Sequence, residues 1–447
     1  MRFTEMTEQI IIKGYWWLPS SPDTAVAGIL TYTPNESIVL ELVGQLKSGI
    51  SAMEEFINRE EEGVIFGYSS DAKDISLLNC YPSGGNLNFS CRFPIQRYRC
   101  QHLIIGTHIE TLDNPLFFKT QIEIPYLSLW ATPNSIETTT FFNEKQIEKY
   151  CISFKPEGFH IDTVDIEEYT LSIDGAVNYK GDYFEPKIKQ KTVISLTNKS
   201  DYSLRDVLGK IFLFEQFLSF AALKPVESSK IVLYDKSKYQ QLENGTKHFF
   251  PIQYIRVYHG TEIKDEQNIT KRWSFLFSYD TIKTEFKTIL KKWYSEQADI
   301  APIRHHLIEC VSQKGTFSSV DFLVIIQAIE GFWWRFRDDD YKLENHIPSR
   351  RQTHLNTILE SLINEFNGIA ILKLDEINIQ EIVYSRHYFS HFVPKDKKPF
   401  AKDGLELYLL TSRIRKLLIC CLLNFIGFSN NQIEDIVKKS DSKFLHD

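Results

Sequence analysis

An arginine and a histidine separated by four residues occur in the C-terminal third of the chain, within the run YSRHYFSH at positions 384–391. A guanidinium group is a permanent cation that can stabilise a charged phosphorane. An imidazole titrates near neutral pH, so it can move a proton at an attacking hydroxyl or at a departing oxygen. Cleavage of an RNA phosphodiester needs both groups. The spacing R-polar-x3-H therefore predicts this chemistry, with Arg386, His387 and His391 as candidate catalytic residues.

The hydrophobic pattern around this run predicts the helix that positions it. Apolar residues recur at three- and four-residue spacing over 376–391, and Pro394 is expected to end the helix just after His391. His387 and His391 lie four residues apart, on one face of that helix. Two histidines at this spacing also suit a metal ion, but neither an H-E-x-x-H pattern nor an evident third ligand accompanies them. We predict no metal site and no cofactor; a surface arginine and histidine without a role is the alternative.

The charge of the following residues favours a phosphate-binding site. Between Arg386 and Lys416, here called the basic segment, eight basic and three acidic residues give a net charge of +5, whereas the whole chain has −7. Binding of RNA phosphates requires such a local positive charge, and the acidic remainder argues against a protein that coats nucleic acid over its whole surface. A solvated loop is the alternative. The candidate RNA-binding residues are Lys395, Lys397, Lys398, Arg413 and Lys416.

The rest of the chain predicts an α+β multidomain protein. Helical periodicity at 321–337, 354–366 and 404–428, together with 376–391, indicates a C-terminal helical bundle. Short segments of period two, broken by turn formers, predict an antiparallel sandwich or barrel-like region at the N-terminus, and the 13% aromatic content suits such a core. Mixed helix and strand signals lie between them. The predicted regions are 1–174 (β-rich), 175–300 (mixed) and 301–447 (helical).

Cysteine usage and hydropathy indicate the compartment. The chain has seven cysteines and no C-x-x-C pair, which is typical of a reducing environment. The N-terminal residues have no apolar core of a signal peptide, and the longest apolar run, at 417–428, is too short to cross a bilayer. We therefore expect a cytoplasmic protein with no membrane partner.

The C-terminal segments resemble the HEPN domain of ApeA-type anti-phage proteins. The resemblance rests on QAIE at 327–330 in the first helix of the bundle and on the run from Tyr384 to Phe392 in the third. The N-terminal part is similar to the N-terminal region of the same proteins, in the stretches GYWWLP (14–19), GILTY (28–32) and LELVG (40–44). The family often has Asn after the arginine, where this chain has His387.

This resemblance implies a metal-independent endoribonuclease. HEPN sites generally form where two domains meet, each with an Arg and a His, so a homodimer through the HEPN domain is implied. The 2′-hydroxyl of the RNA attacks the adjacent phosphorus and leaves a 2′,3′-cyclic phosphate and a 5′-hydroxyl. Such an enzyme is a toxin that halts growth of the infected cell (abortive infection). A phage-derived trigger, sensed by the N-terminal region, is implied, and transfer RNA is the target by analogy with related toxins.

Two other classes of function are compatible with parts of the sequence. One is an inactive module in which the helical domain dimerises or binds RNA; the intact Arg386 and His391 favour catalysis over it. The other is a carbohydrate-binding or structural β protein with a helical tail. That class accounts for the aromatic-rich first half but leaves the basic segment unexplained.

Overall fold

The computed structural model of the chain describes residues 6–47, 63–86, 94–132, 136–143, 145–155, 159–180, 185, 187–257, 275–295, 297–312 and 319–439. The chain forms two compact units. The first comprises residues 1–215 and 226–270, and the second comprises residues 216–225 and 271–447. The division falls inside one helix, Leu204–Ala222, so the two units share this element.

An antiparallel sheet forms the first unit. Its strands alternate buried and exposed side chains, as expected when one face covers a core. The strands are β1 (Ile10–Trp17), β2 (Val26–Thr33), β3 (Ser37–Val43), β4 (Val64–Ser69), β5 (Asp74–Asn86), β6 (Ile95–Ile105), β7 (Phe117–Glu123), β8 (Ile136–Asn143), β9 (Gln146–Phe154), β10 (His160–Ile166), β11 (Tyr169–Lys180), β12 (Lys187–Tyr202), β13 (Lys230–Gln241) and β14 (Lys247–Arg256).

Six of these strands close on themselves. The order β6-β3-β2-β1-β4-β5 forms a ring because β5 pairs with both β4 and β6. From β6 the same sheet continues through β14, β13, β7, β12 and β11 to β10, while β8 and β9 form a separate hairpin. The predicted antiparallel, barrel-like N-terminal region is therefore confirmed. The sheet also runs past residue 174, the predicted end of the β-rich region, because the long β11–β12 hairpin and the β13–β14 hairpin extend it.

The aromatic stretch at 14–19 has a structural role in this ring. Trp16 is completely buried on β1. A Cβ on Gly67, in the neighbouring strand β4, would overlap the Trp16 indole, and a Cβ on Gly28, in β2, would contact it at 3.0 Å. These glycines therefore leave the space that the indole fills. This explains why GYWW and GILTY occur together in the sequence.

The second unit consists of helices, and it includes the C-terminal end of the shared helix. The α-helices of the described residues are α1 (Leu127–Trp130), α2 (Leu204–Ala222), α3 (Tyr279–Ile282), α4 (Phe286–Ser295), α5 (Gln297–Ser312), α6 (Ser319–Phe336), α7 (Asp338–Glu344), α8 (Leu355–Phe366), α9 (Ile379–His391), α10 (Gly404–Phe425) and α11 (Asn430–Lys439). The predicted α+β class with a C-terminal helical bundle is confirmed. Within the described residues no helix has the length and apolar character needed to cross a bilayer.

An aromatic cluster fixes the shared helix in the second unit. Phe217 and Phe220 of α2 pack against Trp293 of α4 with ring centroids 5.5 and 6.1 Å apart, and Phe277 lies 5.7 Å from Phe217 and 6.0 Å from Phe428. The helical unit therefore begins well before residue 301, where the sequence pattern placed it. Pro302 lies inside α5. It removes one backbone hydrogen bond near the helix start, and packing of that helix offsets this cost.

Helix α10 provides the core of the bundle. Its residues Leu417, Leu418, Leu422 and Phe425 are all at most 5% exposed, so they are core residues and not an interface. Both faces of the C-terminal half of α10 are covered, whereas its N-terminal half buries Leu407 and Leu410 and exposes Leu405 and Leu409.

Candidate active site

Helix α9 presents the candidate catalytic residues at its C-terminal end. The helix begins after Asn378, whose side chain accepts a hydrogen bond of 3.0 Å from the backbone N–H of Gln380. It ends at His391 because Phe392 adopts the left-handed conformation (φ 52°, ψ 34°) and Pro394 follows. The predicted end of the helix is confirmed. His391 is therefore exposed in the last turn of the helix.

An ion pair holds Arg386, one turn earlier. Its Nη2 donates to both carboxylate oxygens of Glu330 on α6, at 3.2 and 3.4 Å. The Arg386 side chain is 30% exposed and the Glu330 side chain 15% exposed, so the guanidinium is half-buried although it lies near the helix end. The ion pair fixes the orientation of the guanidinium and leaves its remaining N–H groups as donors for an oxyanion.

His387 lies beside His391 on the same face of α9. The ring centroids of the two histidines are 5.8 Å apart. Partial burial, followed by the positive charges of Lys398, Arg386 and His391, lowers the pKa of His387 below its usual value. A lowered pKa means that this imidazole is neutral near pH 7 and can accept a proton or a hydrogen bond.

Hydrogen bonds attach the loop after α9 to the helix. Ser385 is completely buried, and its Oγ accepts a bond of 2.9 Å from the backbone N–H of Lys402. The ammonium group of Lys402 also lies 3.4 Å from the carboxylate of Glu381. The loop that contains the lysines is therefore held against the helix that contains Arg386 and His391.

The structure separates the candidate RNA-binding residues into two groups. Lys395 and Lys397 are exposed, and Lys395 pairs with Asp403 at 2.6 Å. Lys398 lies over the ring of Tyr384, with its Nζ 4.6 Å from the centroid. Arg413 is also exposed, 4.0 Å from Glu376. Lys416, in contrast, is 5% exposed within the helical unit, so in this structure it is not placed to contact RNA phosphates.

Three features of this site were not assigned a role from the sequence. Glu330 was noted only as part of the QAIE stretch, although a carboxylate on an otherwise apolar helix is a signal for a buried cation partner. Ser385 and Phe392 gave no signal, because their roles depend on a tertiary contact and on a backbone angle. Among the described residues, no group of three His, Cys, Asp or Glu side chains could hold a metal ion.

The arrangement combines an oriented cation, an exposed imidazole and a second, neutral imidazole. The guanidinium can stabilise negative charge at phosphorus, and the imidazoles can transfer protons at neighbouring oxygens. The exposed lysines give the surroundings the positive charge that a phosphodiester backbone needs.

Comparison with known families identifies both parts of the chain. ApeA N-terminal domain 1 matches residues 11–293, and Apea-like HEPN matches residues 323–432. The first match covers more than half of the chain and ends inside α4, in the helical unit. No curated protein and no solved structure gave a significant match. The resemblance predicted from the sequence is thus confirmed, and its HEPN domain associates the chain with antiviral nucleases. The chain belongs to the ApeA family, with an ApeA N-terminal domain followed by an Apea-like HEPN domain.

Proposed function

We propose that the chain is an anti-phage endoribonuclease that cleaves RNA at the end of α9 without a metal ion. The observation that carries this proposal is the placement of an exposed His391 one turn after Arg386, which Glu330 holds in orientation. The test is incubation of the purified protein with total bacterial RNA, with and without chelator, and analysis of the new ends. Cyclic phosphates and 5′-hydroxyls that persist with chelator are expected. Loss of cleavage on chelation would contradict the proposal.

The proposed reaction is an internal transesterification. The 2′-oxygen forms a bond to the adjacent phosphorus while the bond from phosphorus to the 5′-oxygen breaks. One imidazole removes the proton of the 2′-hydroxyl, and a second delivers a proton to the departing 5′-oxygen. Arg386 stabilises the additional negative charge on the phosphorane. The balanced products are a 2′,3′-cyclic phosphate and a 5′-hydroxyl.

The second proton-transfer group comes from another copy of the chain in this proposal. Leu405, Tyr408 and Leu409 form an exposed apolar stripe on α10, with Leu405 62% and Leu409 47% exposed. Their spacing places them on one helix face, directly after the loop of the basic segment. A two-fold contact through this stripe would bring two α9 ends together, because a two-fold interface uses the same surface on both copies. The result would be a composite site with two His391 side chains.

Substitution of His387 distinguishes a composite site shared by two copies from a site in which one chain supplies both proton-transfer groups. We expect His387→Asn to retain cleavage within about tenfold of wild type, because a neutral amide can replace the hydrogen bonds of a neutral imidazole but cannot transfer protons. The measurement is the single-turnover rate on total RNA at pH 7. A loss of about 10²-fold or more would show that His387 itself transfers a proton, and would remove the need for a second copy.

We propose that the lysines after α9 bind RNA phosphates. Replacing Lys395, Lys397 and Lys398 together by Ala should weaken RNA binding and reduce the slope of log K against log salt, by about 0.7 for each phosphate of single-stranded RNA that is no longer neutralised. Binding is measured with the His391→Ala protein so that RNA is not consumed. The matched control replaces three exposed lysines elsewhere in the helical unit, Lys283, Lys287 and Lys291. Equal salt slopes for the two triple variants would show that the three lysines of the loop do not contact RNA phosphates.

We also propose the substrate and the trigger of this activity. Transfer RNA is the proposed substrate, and the first unit senses a phage-derived trigger that starts cleavage and arrests growth. Sequencing of 5′-hydroxyl ends during infection tests both points, because cleaved transfer RNA should appear only after phage entry and only with an intact His391. An inactive HEPN module that binds RNA is the second candidate, and it predicts RNA binding without new ends.

A further inference from the structure

Phe392, immediately after His391, has an unusual conformation. Its φ of 52° lies in the left-handed region, which is uncommon for a bulky residue and in which glycine or asparagine usually ends a helix. Its side chain is 87% exposed, the largest fraction among the exposed large hydrophobic residues of the described chain. Packing within the unit therefore does not compensate for the strain. A strained, solvent-exposed ring at a candidate active site indicates a role in binding.

The surroundings of Phe392 are aromatic and basic. Tyr384 and Tyr388 lie four residues apart on α9, and Phe392 directly follows the end of the helix. The Tyr384 ring contacts Phe400 with centroids 5.6 Å apart and lies beneath Lys398. Lys395 and Lys397 follow Phe392 within five residues and are exposed. Aromatic rings beside exposed cations are the combination with which proteins bind unpaired nucleotides, by stacking on the bases and attracting the backbone.

We propose that Phe392 is a stacking platform for an unpaired nucleobase next to the phosphate that is cleaved, so that the enzyme selects single-stranded RNA. This inference rests on the proposed ribonuclease function. Phe392 is adjacent in sequence to His391, and both side chains are exposed to solvent at the end of α9. A base held on this ring would place its ribose and phosphate beside the imidazole.

Selection of an unpaired nucleotide also follows from the reaction. The 2′-oxygen must approach phosphorus opposite to the departing 5′-oxygen, and a nucleotide stacked within an A-form helix does not have this geometry. An unstacked nucleotide can rotate into it, and a platform that holds its base restricts the rotation to the reactive arrangement. Phe392 would therefore influence both affinity and rate.

Binding is tested with cleavage disabled. The probe is a 12-nucleotide oligouridine with one central 2-aminopurine, whose fluorescence reports stacking, added to His391→Ala protein. Adding Phe392→Gly removes the ring and relieves the left-handed conformation, so the fold is retained and the thermal midpoint should not fall. We expect Phe392→Gly to lower the affinity about 5- to 100-fold and Phe392→Trp to restore it. The control is Leu343→Ala, at an exposed apolar residue far from Phe392 in the sequence, which should leave the affinity unchanged.

Cleavage is tested in the His391 wild-type background. Phe392→Gly should lower kcat/KM by a similar factor on single-stranded RNA, whereas wild type should cut the same strand poorly when it is annealed to its complement. Equal cleavage by wild type and Phe392→Gly, with His391→Ala inactive, would overturn the inference while leaving the proposed function intact. A fall in molecular mass on Phe392→Gly would also overturn it and assign the ring to a contact between copies.

The outcome in which wild type cuts no RNA is also decisive. The proposed function then fails, and oligouridine binding still tests Phe392. Binding that depends on the ring would support the platform in a module that only binds RNA. The absence of binding, or binding that is indifferent to Phe392→Gly, would overturn it.

Discussion

His391→Ala is expected to reduce RNA cleavage by about 10²- to 10⁴-fold, because it removes a proton-transfer group from the reaction. The side chain is exposed at the end of α9, so its loss should leave the thermal midpoint unchanged. The measurement is the single-turnover rate on total RNA, together with protection of bacteria from phage. Cleavage that survives at the wild-type rate would place the active site elsewhere.

Arg386→Ala is expected to have an effect of similar size, about 10²- to 10³-fold, because the phosphorane loses its cation. The substitution also leaves the half-buried carboxylate of Glu330 without this partner, so the fold could weaken. Arg386→Lys is therefore the second variant. A lysine keeps the charge beside Glu330 but lacks further N–H groups in a fixed plane for the phosphate, so the fold is retained and the rate still falls. Arg350→Ala, an exposed arginine of the same unit outside the basic segment, is the control.

The apolar stripe on α10 leads to a third large effect on cleavage. Leu405→Glu combined with Leu409→Glu should separate the copies by like-charge repulsion and lower cleavage by about 10²-fold, since each site then lacks one proton-transfer group. Both positions are exposed, so the fold of a single copy should be unaffected. Light scattering gives the mass, and the cleavage rate is measured on the same samples. A wild-type protein that is monomeric and active would contradict the composite site.

Mixing experiments provide the control for this effect. When wild type exchanges with an equal amount of His391→Ala, cleavage should fall to roughly one quarter of that of wild type at the same total concentration, because only pairs of wild-type chains are complete. Independent sites would leave one half. In a second mixture, the His391→Ala chains also have Leu405→Glu and Leu409→Glu, so they should not pair with wild type. Cleavage should then return to one half of that of wild type. The same fraction in both mixtures would argue that the chains act separately.

The sequence predicted the elements of the site better than their contacts. Apolar periodicity located α9, and Pro394 indicated its end, because both signals are local. The pairing of Arg386 with Glu330 joins residues 56 positions apart, and no local pattern reports such a contact. Lys416 shows the same limit: it belongs to the basic segment by its position in the sequence, but it is buried within the unit.

The predicted domain limits differ from the compact units of the structure for a similar reason. The period changes from two to that of a helix at α2, and Ser203 is its N-cap: the backbone N–H of Asp206 donates to the Ser203 Oγ at 3.1 Å. Nothing in the sequence shows that the second half of this helix packs with α4. The contacts of Phe217 and Phe220 with Trp293 are long-range, so they became visible only in the folded chain.

The shared helix has a consequence for the evolution and handling of this chain. A segment cut at the limits of the HEPN match, 323–432, omits Phe217, Phe220, Phe277 and Trp293, and exposes the surfaces that these rings cover. Recombination at that point would separate the HEPN segment from the rings that complete the core of its unit.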